Sequence, residues 1–145
     1  MPEIAPAGNE ALRFCLNLNR ATAVLTRHID NRLGALHGLS LNDLTVLQYL
    51  HLAPHGKARR SDLAAHLGLT ASAVTRLLLP LEKIGLVARL PDARDARVGY
   101  AALTSAGGDL LKVALESAVQ TSEDLVGHVP VAQLRALSTV LDSLV

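Results

Sequence analysis

Apolar residues recur along most of this chain with a helical period and switch to an alternating period only once. Leu12, Leu16, Leu18, Ala21, Leu25, Ile29, Leu33 and Leu36 return at spacings near 3.6, which predicts one long helix over residues 9–37. Gly38 ends it as a C′ residue. Ser40, with Asp43 three positions on, has capping-box spacing. It opens a second helix carrying Leu44, Leu47, Leu50 and Leu52, which Pro54 and Gly56 stop. A short helix over about 60–67 breaks at Gly68, and Thr70 caps another that reaches Ile84 before Gly85. Leu86–Leu90 and Val98–Leu103 then read as two short strands, the second with period-two faces. Thr104 caps a long helix through Val126, and Pro130 starts a last one with Leu134, Leu137, Leu141 and Leu144 on one side. The predicted order is α-α-α-α-β-β-α-α.

This pattern implies a mainly α protein with a small β-hairpin. At 145 residues it is most simply one domain, 1–145. Within it, residues 39–104 read as a winged helix-turn-helix lobe, flanked by apolar helices in 1–38 and 105–145. Those terminal helices are more apolar than a monomer of this size needs, which points to a shared interface and a two-fold dimer. No apolar run reaches membrane-spanning length, and "MPEIAPAGNE" lacks the basic-then-apolar order of a secretory signal. Cys15 is the only cysteine, so no intrachain disulfide can form and a reducing cytoplasm is the expected location.

Charge changes the picture more than composition does. The net charge is only +1, yet residues 57–97 hold eight basic against four acidic side chains, while residues 98–145 hold two against five. A basic middle between neutral and acidic ends points to a polyanion partner for the middle alone. Within it, "RSDLAAHLGLTASAVTRLLLPLEKIGLV" places Ala64, Gly68 and Val74 four and six apart. That fits a helix-turn-helix, with a small residue at the helix crossing, a glycine in the turn and a branched anchor on the second helix. Ser72, Thr75 and Arg76 then fall on the N-terminal half of the second helix, where side chains reach bases and phosphates in a major groove. In the competing reading these are plain surface residues. The segment "LPDARDARVGYAALT" follows, with two aspartates and two arginines between Pro91 and Arg97 on a hairpin tip. An arginine on such a tip meets the concentrated negative potential of a minor groove, and a nearby carboxylate can hold its guanidinium fork in one direction. Here the competing reading is a solvated turn.

These residues resemble the MarR family of bacterial transcriptional regulators, over nearly the whole chain. "GLSLNDLTVLQYL" is similar to the family's second helix, and the segment from Leu63 to Gly107 to its helix-turn-helix and wing. The most specific part is Asp92, Arg94, Arg97, then Leu103, Thr104 and Gly107. The resemblance implies a homodimer on a pseudo-palindromic double-stranded DNA operator, usually as a repressor, with no cofactor. It implies Arg94 as the minor-groove arginine, steadied by Asp92. Together with the helical reading, the candidate DNA-binding residues are Arg60, Thr70, Ser72, Thr75, Arg76, Arg94 and Arg97. It also implies a pocket between the dimer helices and the winged lobe for a small aromatic or lipophilic effector. Leu79 and Pro80 depart from the family's usual polar residues, and the proline is expected to bend the helix past its contact residues.

Four other readings have less support in the residues. Cys15 lies where some relatives sense peroxides, but Leu18, Asn19, Leu41 and Asn42 stand where tyrosines would help, which favours an inert thiol. His51 and His55 are four apart with Pro54 between them, a poor metal pair. A winged helix serving protein interaction alone would carry a neutral or acidic tip, unlike this one. For an enzyme with Cys15 as nucleophile, no general base or oxyanion site is recognisable.

Overall fold

The computed structural model describes residues 8–95 and 97–145. Helix α1 spans Glu10–His37 and α2 Leu41–Leu52, followed by a 3-10 turn at Pro54–Gly56 and strand β1 at Lys57–Arg59. Helices α3 (Arg60–Leu67) and α4 (Ala71–Lys83) come next, then β2 (Val87–Pro91), β3 (Gly99–Leu103), α5 (Ser105–Val126) and α6 (Val131–Asp142).

Local chemistry sets these boundaries. The Asn9 side chain accepts from Leu12 N and opens α1. At α2 the capping box is complete, with Ser40 Oγ accepting from Asp43 N at 3.0 Å and Asp43 Oδ2 accepting from Ser40 N at 2.8 Å. Asp30 of α1 also accepts from Leu41 N at 2.6 Å, so the first two helices share a polar joint. Between α3 and α4, Gly68 takes a φ of 64°, which a side chain rarely adopts, and makes the sharp turn. Thr70 caps α4 by accepting from Ala73 N at 3.1 Å.

One expectation needs correction. The sequence pattern gives two strands, whereas the sheet has three, in the order β1-β3-β2. Residues Lys57–Arg59 pair antiparallel with β3, Ala58 opposite Ala101 and Arg59 opposite Tyr100. Three residues with a lysine, an alanine and an arginine carry no strand propensity of their own; the free edge of β3 makes them a strand. The register turns Ala58, Ala101 and Val87 into the core and leaves Lys57 and Arg59 exposed.

The core lies where α2, α3, α4 and the inner face of the sheet meet. Leu33, Leu47, Leu50, Leu63, Leu78, Val46, Val74 and Val87 are fully buried there. Val74, the branched anchor expected from the helix-turn-helix spacing, is among them. Helix α5 packs on α1 and α2, and Leu111, Ala114 and Ala118 continue the core along it.

The joint between wing and α5 explains the Leu-Thr-x-x-Gly pattern. Thr104 Oγ1 donates to the Gly85 carbonyl at 2.6 Å and accepts from Gly107 N at 3.0 Å, while Thr104 N donates to the Leu86 carbonyl at 3.2 Å. Gly107 is buried directly against that same carbonyl, with no room for a side chain. One threonine therefore caps α5 and fastens it to the turn that starts the wing.

The terminal helices leave apolar residues uncovered. Leu12, Phe14 and Leu16 of α1, Val119 of α5 and Leu137, Val140 and Leu141 of α6 are exposed, and α6 buries no residue. No single helix among the described residues is long and apolar enough to cross a membrane.

Candidate nucleic-acid interface

Helix α4 divides cleanly by period. Val74, Leu78 and Leu81 face the core, and Ser72, Thr75, Arg76 and Leu79 occupy the opposite, exposed face. The first turn of α4 carries no acidic residue, so its positive end is left for an anion. Thr70 is exposed as well, but its hydroxyl is engaged as the cap. Pro80 lies on the exposed side and does not break the helix, which continues to Lys83.

Arg60 is placed differently from a free phosphate-binding cation. Its Nη1 donates to Glu82 Oε1 at 3.3 Å, and the two side chains are only 17% and 19% exposed. Its Nη2 donates to Thr75 Oγ1 at 3.1 Å. Thr75 in turn donates to the Ala71 carbonyl at 3.1 Å. The stem of Arg60 runs beside Gly99 of β3, so closely that a Cβ there would lie 2.8 Å from Arg60 Cδ. Arg60 thus ties the start of α3 to both ends of α4 and to the wing. Glu82 was absent from the sequence-derived set because its partner lies 22 positions away, a separation with no local signal.

The wing tip is organised by its two aspartates. Asp92 Oδ1 accepts from Arg94 N at 2.6 Å and Asp95 N at 3.2 Å, and Oδ2 accepts from the Tyr100 hydroxyl at 3.2 Å. This is an Asx turn braced by a tyrosine from the facing strand. The guanidinium fork expected between Asp92 and Arg94 is made instead by the next pair. Asp95 accepts from Arg97 Nε at 3.1 Å, from Arg97 Nη2 at 3.3 Å and from Arg97 N at 3.0 Å. Asp92 therefore steadies Arg94 through its backbone, and Arg94 is exposed. Arg97 is 91% exposed even while paired.

The Arg94 backbone N–H, with further help from Asp95 N–H, Tyr100 and Arg59, holds the Asp92 carboxyl below the usual carboxylate range. The Arg97 side chain and then its backbone do the same for Asp95. A depressed carboxylate pKa means that the turn is fully held at neutral pH and loosens only as pH falls below the ordinary carboxylate range.

Tyr100, Lys57 and Arg59 also escaped sequence reasoning as site residues. Tyr100 braces Asp92, and the Lys57 ammonium sits 5.2 Å from the Tyr100 ring centre. The alternation of Lys57 and Arg59 was the available signal, hidden because a three-residue strand has no pattern to read. A cleft of about 750 Å³ opens beside them, lined among others by Tyr49, Leu52, His55, His66 and Tyr100. Cys15 is exposed on α1. Tyr49 and Tyr100 line the cleft by the wing, on other elements than α1.

Comparison with known proteins agrees with this geometry. The sequence model of the MarR family matches residues 39–98. No curated protein matches the chain in sequence. Among solved structures, the chain is similar to Sco3205, a MarR family transcriptional regulator from Streptomyces coelicolor in complex with DNA. The identity is 25%, covering 99% of this chain and 89% of that one, with a TM-score of 0.85. It is also similar to the transcriptional regulator BldR from Sulfolobus solfataricus, at 25% identity over 96% of this chain and 99% of that one, TM-score 0.84. CouR from Rhodococcus jostii RHA1, solved bound to p-coumaroyl-CoA, shares the fold at 21% identity, with 90% of each chain covered and a TM-score of 0.82. This chain therefore carries the helix-turn-helix and wing of the MarR family, set within the fold that MarR-family transcriptional regulators share along its length.

Proposed function

We propose that the chain acts as a homodimer that binds a pseudo-palindromic DNA operator, as a repressor released by a small effector. The observation that carries the proposal is the wing tip. Two aspartates spend their oxygens on ordering a turn whose arginines remain exposed, an arrangement suited to docking a cation in a groove. In this reading residues 39–104 form the DNA-binding lobe, and 1–38 with 105–145 form the dimerisation helices. Residues 1–7 of that division lie outside the described residues. The bare apolar faces of α1, α5 and α6 support the dimer, and the DNA complex of Sco3205 supports the target. The cleft beside Tyr49 and Tyr100 has the volume of a small-molecule site, and the ligand of CouR supports an effector of aromatic character. Family and fold are those of transcriptional regulators, and the proposal includes no catalytic role.

Arg76 is assigned to DNA contact from the exposed face of α4. Arg76→Ala is expected to weaken operator binding by about 1–3 kcal/mol if it reaches a base edge. An unchanged titration curve would place it off the interface.

The wing gives a paired test. Arg94→Ala should weaken binding and flatten its salt dependence, because one cation per subunit leaves the phosphate field. Asp92→Ala removes a negative charge near DNA, which by charge alone would tighten binding. It also releases Arg94 N and Tyr100, so the tip must be ordered on docking. Net weakening is expected. Tighter binding of Asp92→Ala at fixed salt would leave Arg94 as a plain cation with no need of the turn.

A further inference from the structure

Thr75 stands at the centre of the exposed face of α4, and its hydroxyl is already committed. A threonine hydroxyl has one proton to donate and two lone pairs. The proton goes to the Ala71 carbonyl at 3.1 Å, and one lone pair receives Arg60 Nη2 at 3.1 Å. Arg60 is itself pinned by Glu82 at 3.3 Å and by its passage beside Gly99. The hydroxyl can then donate to no base without breaking its own helix contact. What Thr75 has left to offer a base is its methyl and one acceptor lone pair.

We infer that Thr75 reads DNA through this methyl group, selecting a thymine by apolar contact with the base's C5-methyl. Arg60, Glu82 and Gly99 act as positioning residues that hold the hydroxyl turned away. The inference rests on the DNA-binding reading above and deepens it from a surface to a base. It also gives Arg60 a role other than that of a phosphate-binding cation. A cation contributes equally to all sequences and to the salt slope, whereas a positioning residue contributes to one base and leaves the slope alone.

The test starts from duplex DNA selected by the wild-type dimer from a random pool. Each thymidine of the selected site is replaced in turn by deoxyuridine, which removes only the methyl. One thymidine per half-site should show a loss of about fourfold, the worth of one buried methyl group. Thr75→Val, which keeps a methyl at that place and lacks the hydroxyl, should retain that sensitivity. Thr75→Ser, which keeps the hydroxyl alone, should bind the thymidine and deoxyuridine sites equally. Arg60→Met and Gly99→Ala should both lower the thymidine preference toward unity with the salt slope unchanged. Gly99→Ala does so by displacing the arginine stem without touching any charge.

Selective binding with no deoxyuridine-sensitive position would overturn the assignment, as would Thr75→Ser behaving as wild type while Thr75→Val loses specificity. An Arg60→Met salt slope shallower by about one per subunit, with thymidine preference intact, would return Arg60 to the phosphates. Failure to select any sequence would overturn the DNA-binding reading itself, and this assignment with it.

Discussion

Gly107→Ala is expected to destabilise the protein by about 3 kcal/mol, the upper part of the range for overpacking a tight site. A Cβ at this position would overlap the Leu86 carbonyl oxygen outright and press on Leu103 Cδ1 at 2.8 Å. The leucine can turn, but the carbonyl cannot. It belongs to backbone and already accepts from Thr104 N at 3.2 Å. Relief would require α5 to move away from the wing turn, which would also pull Gly107 N from Thr104 Oγ1. Gly108 is the control. There the nearest atom to a Cβ is Leu103 Cδ2 at 4.0 Å, and the residue is helical. Gly108→Ala should therefore be neutral or stabilising by up to about 1 kcal/mol. Urea unfolding of both variants checks the pair. Equal stabilities would mean that the joint between wing and α5 is slack.

The second large effect concerns the dimer. Leu137, Val140 and Leu141 form one stripe on α6, exposed in the single chain, with Leu144 just past its end, and no residue of α6 is buried. Leu137→Glu would place an unpaired carboxylate in the proposed interface, and two-fold symmetry places it there twice. An uncompensated buried charge costs about 3–5 kcal/mol. Two copies should raise the dimer dissociation constant on the order of a thousandfold or more. Sedimentation at micromolar concentration should show dimer for the wild type and for Arg135→Ala, and monomer for Leu137→Glu. A dimeric Leu137→Glu would mean that α6 faces solvent and that the subunits meet elsewhere. Monomers should also lose most operator affinity, since one half-site offers half the contacts.

The features that could be read from the sequence are those whose chemistry is local. Asn9, Ser40 with Asp43, Thr70 and Thr104 each cap the helix that begins beside them, so a few neighbouring residues carry the whole signal. Gly68 and Val74 were legible for the same reason. Strand β1 was not, because its partner β3 lies more than forty positions away and its own residues favour no strand. Arg60 shows the same limit in the site. As a sequence feature it is one more cation in a basic segment; only the fold brings Glu82, Thr75 and Gly99 around it. The wing tip falls between these cases. Two aspartates beside two arginines mark the tip in the sequence, but the side-chain pairing expected between Asp92 and Arg94 occurs between Asp95 and Arg97. A short carboxylate opening a turn meets the backbone N–H groups two and three residues on before it meets any side chain. Asp92 follows that rule, and Tyr100 takes its second oxygen.

The central claim, that this chain reads DNA sequence as a symmetric dimer through α4 and the wing, is tested most directly by selecting duplexes from a random pool. The selected site is then titrated under stoichiometric conditions. An inverted repeat with half-sites about one helical turn apart and two chains per duplex is expected, with weaker binding of that site by Arg76→Ala and Arg94→Ala. Recovery of no common sequence, or of a site without two-fold symmetry occupied by a single chain, would contradict it.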